Sequence, residues 1–366
     1  MLYARRSIAS PAFRAILTVA ALLLAGSAAL AQEEGGAGEI DWIAVAMGAL
    51  GGLILFLYGV DLLAKALREG QDDRLKDWLR RGSSNRLAAL GSGTAATVVL
   101  DSSSVTIILL IAIVDAGLMP FASAVPIILG SNIGTTISSQ VFAWSIDAYA
   151  PLLMAAGLLW RVLIKGAAGK RWATILFGIG LVLFGLSVIG TAAEPLQDDP
   201  RILAWLRELE NPFYGVLAGA AVTVVIQSSS AMMGIVIALA SDGLVTLPAG
   251  IAIMLGAEIG TCADTLVATL GRSRAAVKAG VFHLLFNVAS VIIGVLLIGQ
   301  LTAFGEATAT DTGQRIANTH VLFNLLGALA MLPFVGIAAR LLDRAIPDRA
   351  SAGSESAPPI GDEVAA

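Results

Sequence analysis

Two runs of three serines could do more than pack. Asp101-Ser102-Ser103-Ser104 and Gln227-Ser228-Ser229-Ser230 each interrupt an apolar stretch, 87–117 and 213–242. Each stretch is too short for two bilayer crossings of about 20 residues and suits two half-helices that dip in and return. Such a reversal exposes free N–H groups and the positive dipole end of the returning half-helix. Hydroxyls beside them form a cradle for a tetrahedral oxyanion. Two tips could enclose one anion, while freed carbonyls of the incoming half-helices suit a small hard cation such as Na+. The same serines could instead cap broken helix ends or pack helices closely.

A second pair of polar motifs follows the triplets. Gly130-Ser131-Asn132-Ile133-Gly134-Thr135-Thr136 has its counterpart in Gly256-Ala257-Glu258-Ile259-Gly260-Thr261-Cys262. All of these segments lie on one internal repeat. At a shift of 126 the chain aligns with itself without a gap, and 18 of the 43 positions from 93 to 135 are identical. Shared small-residue composition does not reproduce matched polar triplets. The same shift pairs Gly52 with Gly178, Gly59 with Gly185 and Asn85 with Asn211. Three crossings separate the two copies, so they are expected to be inverted. Inverted repeats with interrupted helices are the plan of secondary transporters.

The elements that must hold these motifs are apolar helices. Hydrophobic residues make 57% of the 366 and charged residues 14%, and mean hydropathy is +0.83. A soluble protein could not bury that much apolar surface, so soluble enzymes are disfavoured. Net charge is −4 with no large basic cluster, which argues against nucleic acid as a partner. One cysteine, Cys262, excludes an internal disulfide, and a total of two histidines argues against a histidine metal site. The fold class is an all-α polytopic membrane protein: two inverted repeats, each with a re-entrant hairpin, and about seven crossings in the lipid bilayer. Spans are expected at 42–66, 119–143, 149–166, 173–193, 245–268, 279–301 and 318–340, with Arg161 snorkelling to the interface. Repeat 1 covers 42–166 with its hairpin at 87–117. Repeat 2 covers 173–301 with its hairpin at 213–242. A final transmembrane helix covers 318–343.

Residues 1–31 have the form of a secretory signal, with Arg5, Arg6 and Arg14 before an apolar run and a small-x-small site at Ala29-Leu30-Ala31. Residues 347–366 read as a flexible cytoplasmic tail. Lys and Arg gather in four loops, 65–86, 161–171, 272–278 and 340–349. All four fall on the cytoplasmic side only if both interrupted stretches are re-entrant. The first hairpin then opens to the cytoplasm and the second to the outside. The mature N-terminus lies outside and the C-terminus in the cytoplasm.

Across roughly 42–340, the paired motifs resemble the type II sodium–phosphate cotransporter family. They are similar to that family's duplicated Gln-Ser-Ser-Ser, each copy followed by a Gly-Ala-Asn-Ile-Gly-Thr-type motif; Asn211-Pro212 is also family-like. The resemblance is to a bacterial inner-membrane member without a C-terminal regulatory domain. It implies Na+-coupled symport of inorganic phosphate by alternating access, with no organic cofactor. It implies phosphate at Ser102, Ser103, Ser104, Gln227, Ser228, Ser229 and Ser230. It implies the coupling ion near Asp101, Asn132, Thr135, Thr136, Gln227, Glu258 and Thr261. Two residues depart from the pattern: Asp101 stands for the first Gln and Glu258 for the second Asn. A carboxylate at the midplane is costly unless paired, protonated or cation-bound, so either acid is a candidate Na+ ligand or proton carrier. Either could instead cap a helix.

Rival readings are a transporter of another oxyanion, a phosphate exporter with H+ or other coupling, an anion pore, and an intramembrane hydrolase using a triplet serine. No Lys or His lies near either triplet in sequence to act as a base. No Walker motif points to ATP drive. His283-x-Leu285-Phe286-Asn287 and His320-x-Leu322-Phe323-Asn324 each place His and Asn on one helix face; they could form a metal pair or proton relay, but read as scaffold that hydrogen-bonds between helices near a helix end. Asp264 is expected to be solvated or paired with Arg272 or Arg274, and Cys262 to pack in place of Thr. Oligomeric state is left open.

Overall fold

The computed structural model describes residues 40–68, 79, 85–144 and 147–347. The expected signal segment and nearly all of the expected tail lie outside them. Among the described residues every regular element is helical. The first half runs through α1 (Trp42–Arg68), a pair of short helices α2 (Arg86–Leu100) and α3 (Ser103–Asp115), the long α4 (Phe121–Ala143), and α5 (Ala150–Leu163). The second repeats that order. It comprises α6 (Ala167–Ala193), a small α7 (Pro200–Arg207), the pair α8 (Pro212–Ile226) and α9 (Ser229–Ser241), α10 (Leu247–Gly260) continued by α11 (Cys262–Val267), and α12 (Arg274–Leu296). Three helices follow: α13 (Ile298–Thr308), α14 (Thr312–Met331) and, after a 3-10 turn, α15 (Val335–Ala345).

Six described helical stretches are long and apolar enough to cross a membrane, or seven when the bent pair Pro200–Glu210 and Pro212–Ile226 counts as one. The expected span 149–166 is shorter than anticipated. Its helix, α5, ends at Leu163 and has 14 residues, about 21 Å at 1.5 Å per residue. Two other spans start earlier than hydropathy suggests. Ser273 caps α12 and Asp311 caps α14 through the N–H groups of Ala276 and Gln314, so the polar first turns are already helical.

The duplication is visible in the packing. α1 lies against α6 through glycines. A Cβ on Gly52 would stand 2.8 Å from the Gly185 oxygen, and one on Gly59 would stand 3.2 Å from the Gly178 oxygen. At the 126-residue shift Gly185 is the counterpart of Gly59, and Gly178 of Gly52. Each glycine thus meets the counterpart of the other, with the two helices antiparallel. Reciprocity of that kind defines a local two-fold axis, as at an isologous interface. The hairpin helices repeat one contact in each copy. Gly93 on α2 meets the Ile127 oxygen of α4 and Gly130 on α4 meets the Leu90 oxygen of α2, as Gly219 on α8 meets the Ile253 oxygen of α10 and Gly256 on α10 the Val216 oxygen of α8.

Both short-helix pairs turn back on themselves. Thr97 Oγ1 donates to Thr106 Oγ1 at 3.0 Å, whereas nine residues of continuous helix would put them about 13 Å apart. Asn85 and Asn211 cap the incoming helices, accepting from the N–H groups of Ala88 and Phe213. The far end of each returning helix is tied to the cap of a later one. Asp115 accepts from the Ser273 N–H at 2.7 Å and from Arg272 at 3.2 Å. In the second copy Ser241 donates to Asp311 at 3.0 Å. Acid and serine are exchanged between the two ties: Asp115 accepts from the backbone N–H of a capping serine, and the capping Asp311 accepts from a serine hydroxyl.

Candidate functional site

The tips are set by backbone conformation. Asp101 (φ 50°) and Gln227 (φ 58°) are the non-glycine residues with positive φ among those described, and they are repeat counterparts. The next residues, Ser102 and Ser228, are extended and act as N-caps. Ser102 Oγ accepts from the Val105 N–H at 3.3 Å, and Ser228 Oγ from the Ala231 N–H at 3.1 Å. So the first serine of each triplet does cap a broken helix end. The other two do not share that duty. Ser103, Ser104, Ser229 and Ser230 are buried in the first turns of α3 and α9, where N–H groups have no partner within the helix.

The tips meet through the second copy's Gly-Thr motif. Ser104 Oγ and Thr261 Oγ1 are 3.3 Å apart, and Thr261 Oγ1 reaches Ser229 Oγ at 3.4 Å. One threonine hydroxyl thereby joins residues from the two hairpins. Ser104 also faces the Asp264 carboxylate. Asp264, expected to be solvated or paired with Arg272 or Arg274, is half-buried and makes no ion pair with either. Arg272 turns to the Ala268 carbonyl and to Asp115.

The remaining sequence candidates sort themselves by their partners. Asp101 Oδ1 accepts from Ser138 Oγ at 2.5 Å, tying the first tip to α4. Gln227 is exposed. Thr135 and Thr136 donate into their own helix, to the Ser131 and Ile133 carbonyls. Asn132 is buried and donates to Asn287 at 3.0 Å, away from the serines.

Glu258 occupies a site that the sequence did not reveal. His320 Nε2 lies 2.9 Å from its Oε1, and Asn324 Nδ2 donates to the same oxygen at 2.7 Å. His320 Nδ1 in turn meets Ser139 Oγ at 2.8 Å. The His/Asn segment of α14 does hydrogen-bond between helices, as expected, but from within Thr312–Met331 rather than near its end, and its partner is a carboxylate. Its recurrence as i, i+4 His and Asn was the available signal; the partners, 62 and 181 positions away in sequence, were not. On α12, His283 meets Thr265 at 2.9 Å, the counterpart of Ser139, while Asn287 takes Asn132, the counterpart of Glu258.

Chemically the region offers hydroxyl, amide and carboxylate oxygens, a donor set that suits a hard monovalent cation. Among the described residues no three His, Cys, Asp or Glu side chains gather to hold a metal ion. Neither imidazole hydrogen-bonds a triplet serine.

The family model described as "Na+/Pi-cotransporter" matches residues 55–191 and again 199–332. The chain belongs to the Na+/Pi-cotransporter family. That is a family of phosphate transporters, not an enzyme class, and a multi-pass membrane protein is what its apolar helices form. The chain is 29% identical over 298 residues to "Uncharacterized protein YqeW" of Bacillus subtilis, covering 81% of this chain and 96% of that one. It is 23% identical over 300 residues to "Putative inorganic phosphate export protein YjbB" of Salmonella typhimurium, covering 82% of this chain and 55% of that one. The chain thus spans about half the length of that relative. A shorter match, 35% identical over 96 residues, is to "Sodium-dependent phosphate transport protein 2A" of Rattus norvegicus, covering 26% of this chain and 15% of that one. No solved structure matches.

Proposed function

We propose that this protein is a secondary transporter that carries inorganic phosphate together with Na+ by alternating access. The observation that carries this reading is the Ser104–Thr261–Ser229 contact. It brings the starts of two inverted hairpin helices to one place. Two positive helix ends and four buried triplet hydroxyls suit a dianion. The carboxylates of Asp101, Glu258 and Asp264 would repel that dianion unless cations stand between them. Coupling to Na+ answers that repulsion, since the ion supplies positive charge for as long as both are bound. Ser103, Ser104, Ser229 and Ser230 are the proposed phosphate ligands, with Ser102 and Ser228 shaping the tips. Thr261, Asp101 and Glu258 are proposed to face the cation.

Uptake of radiolabelled phosphate into proteoliposomes tests the reading. An inward Na+ gradient should stimulate flux, and arsenate should compete better than sulfate. Absence of Na+-stimulated flux would sink it. Similarity to a protein named for phosphate export favours a second reading of direction only. A coupled carrier runs whichever way its gradients point, so export and import use the same site.

A further inference from the structure

An ionised carboxylate at the depth of Glu258 is costly unless its charge is met. The Glu258 side chain is 7% exposed, and both of its neighbouring donors reach the same oxygen, Oε1. Oε2 accepts no hydrogen bond from a described residue, yet it is not among the sealed, unpartnered side-chain atoms. It therefore borders space that a small ligand can enter. The clamp is braced from the other repeat. Ser139 on α4 meets His320 Nδ1; when that hydroxyl donates, Nε2 carries the proton toward Glu258.

The counterpart position on α12 is built differently. The Thr265 hydroxyl reaches the Cys262 carbonyl at 2.9 Å; when its proton goes there, His283 Nδ1 is the donor to Thr265. His283 Nε2 is then a bare lone pair, and it is buried without a partner. Asn132 stands where Glu258 would be and turns to Asn287. One of the two positions thus holds a carboxylate with one oxygen pinned and the other open, while its twin is neutral.

We infer that His320 and Asn324 are positioning residues that pin Glu258 Oε1 and so present Oε2 to one Na+ ion. The inference rests on the Na+-coupled reading above. Neither residue touches the ion; each acts through the carboxylate, and Ser139 acts through His320. Loss of such outer partners weakens ion binding by about tenfold or more.

The test uses the full chain, purified in detergent and also reconstituted. Melting temperature is followed against NaCl, with choline chloride holding ionic strength constant, alongside Na+-dependent phosphate uptake. Na+ should raise the melting temperature of the wild type. His320→Leu should need at least about tenfold more Na+ for half of that rise and for half-maximal uptake. His320→Gln, which keeps an N–H donor, should recover to within about threefold, and Asn324→Ala should fall between. A merely structural role would lower melting in choline and leave the Na+ midpoint where it was. If His320→Leu does not fold, Asn324→Ala and His320→Gln decide the matter. An unmoved midpoint in Asn324→Ala and any folded His320→Leu, or no Na+ effect on the wild type, overturns the inference. A wild type that binds Na+ with a midpoint moved by these variants, but carries no phosphate, overturns the transport reading and leaves this one standing.

Discussion

Asp101 and Gln227, 126 positions apart, hold the same left-handed backbone, with φ of 50° and 58°. Neither is glycine, although an L residue in that conformation gives up about 1 kcal/mol. A β-branched side chain tolerates it least. Gln227→Val should therefore lower stability by about 1–2 kcal/mol, and Gln227→Gly should be neutral or mildly stabilising. Thermal melting in detergent separates the two; equal melting temperatures would contradict the backbone argument.

Thr261 supplies the hydroxyl between Ser104 and Ser229. Thr261→Val keeps the shape and removes that hydroxyl. Phosphate uptake should fall about tenfold, the equivalent of one lost hydrogen bond of about 1.4 kcal/mol, with melting nearly unchanged. Uptake at the wild-type rate would detach this contact from transport.

Gly130 and Gly256 sit where a methyl group would collide with backbone oxygens of Leu90 and Val216. Backbone cannot rotate aside as a side chain can. Gly130→Ala and Gly256→Ala should each cost about 1–3 kcal/mol by overpacking and reduce the yield of monodisperse protein. Gly91 is the control, because a methyl group there would meet nothing within 4 Å. Gly91→Ala should be tolerated or help by about 0.5–1 kcal/mol, read by size-exclusion profile and melting.

The two hairpin ties exchange acid and serine between copies. Asp115→Ser alone should lower melting temperature, and Asp115→Ser with Ser273→Asp should rebuild the second copy's arrangement and recover most of the loss. A double variant no better than the single one would show that the two ties are not interchangeable.

Asp199 caps α7, outside the spans, and takes hydrogen bonds from Arg201 that pull its carboxyl down to about 2 from 3.8. A depressed carboxylate contributes stability above its unfolded value and loses it as pH falls through the folded one. The melting difference between wild type and Asp199→Asn should accordingly be full at about pH 5, shrink as pH falls through about 2, and vanish near about pH 1. A difference that persists undiminished to about pH 1 would assign it to something other than the charge.

Much of this architecture was legible in the chain. Polar triplets at equivalent positions revealed both tips, because three serines interrupt an apolar run only where backbone turns. Side-chain pairing across the fold was not legible. The partners of Glu258 could not be named because nothing local marks His320 and Asn324 as its neighbours. Arg272 lay closer in sequence to Asp264 than to Asp115, yet the α3 terminus comes to it in space. The length of α5 was overread because Ile164 to Gly166 continue the chain past the end of the helix with little change in character apart from Lys165.

The reciprocal glycines of α1 and α6 have an energetic consequence. If the two copies traded conformations, the contact between these helices would be returned to itself. The two end states of such an exchange would then differ in energy where the copies differ in sequence and where the unduplicated helices α13–α15 bear on them. Asp101 against Gln227, Asn132 against Glu258 and Thr106 against Met232 are such places. A preference for facing one side of the membrane must be written in such mismatched pairs and in the helices that follow the two copies.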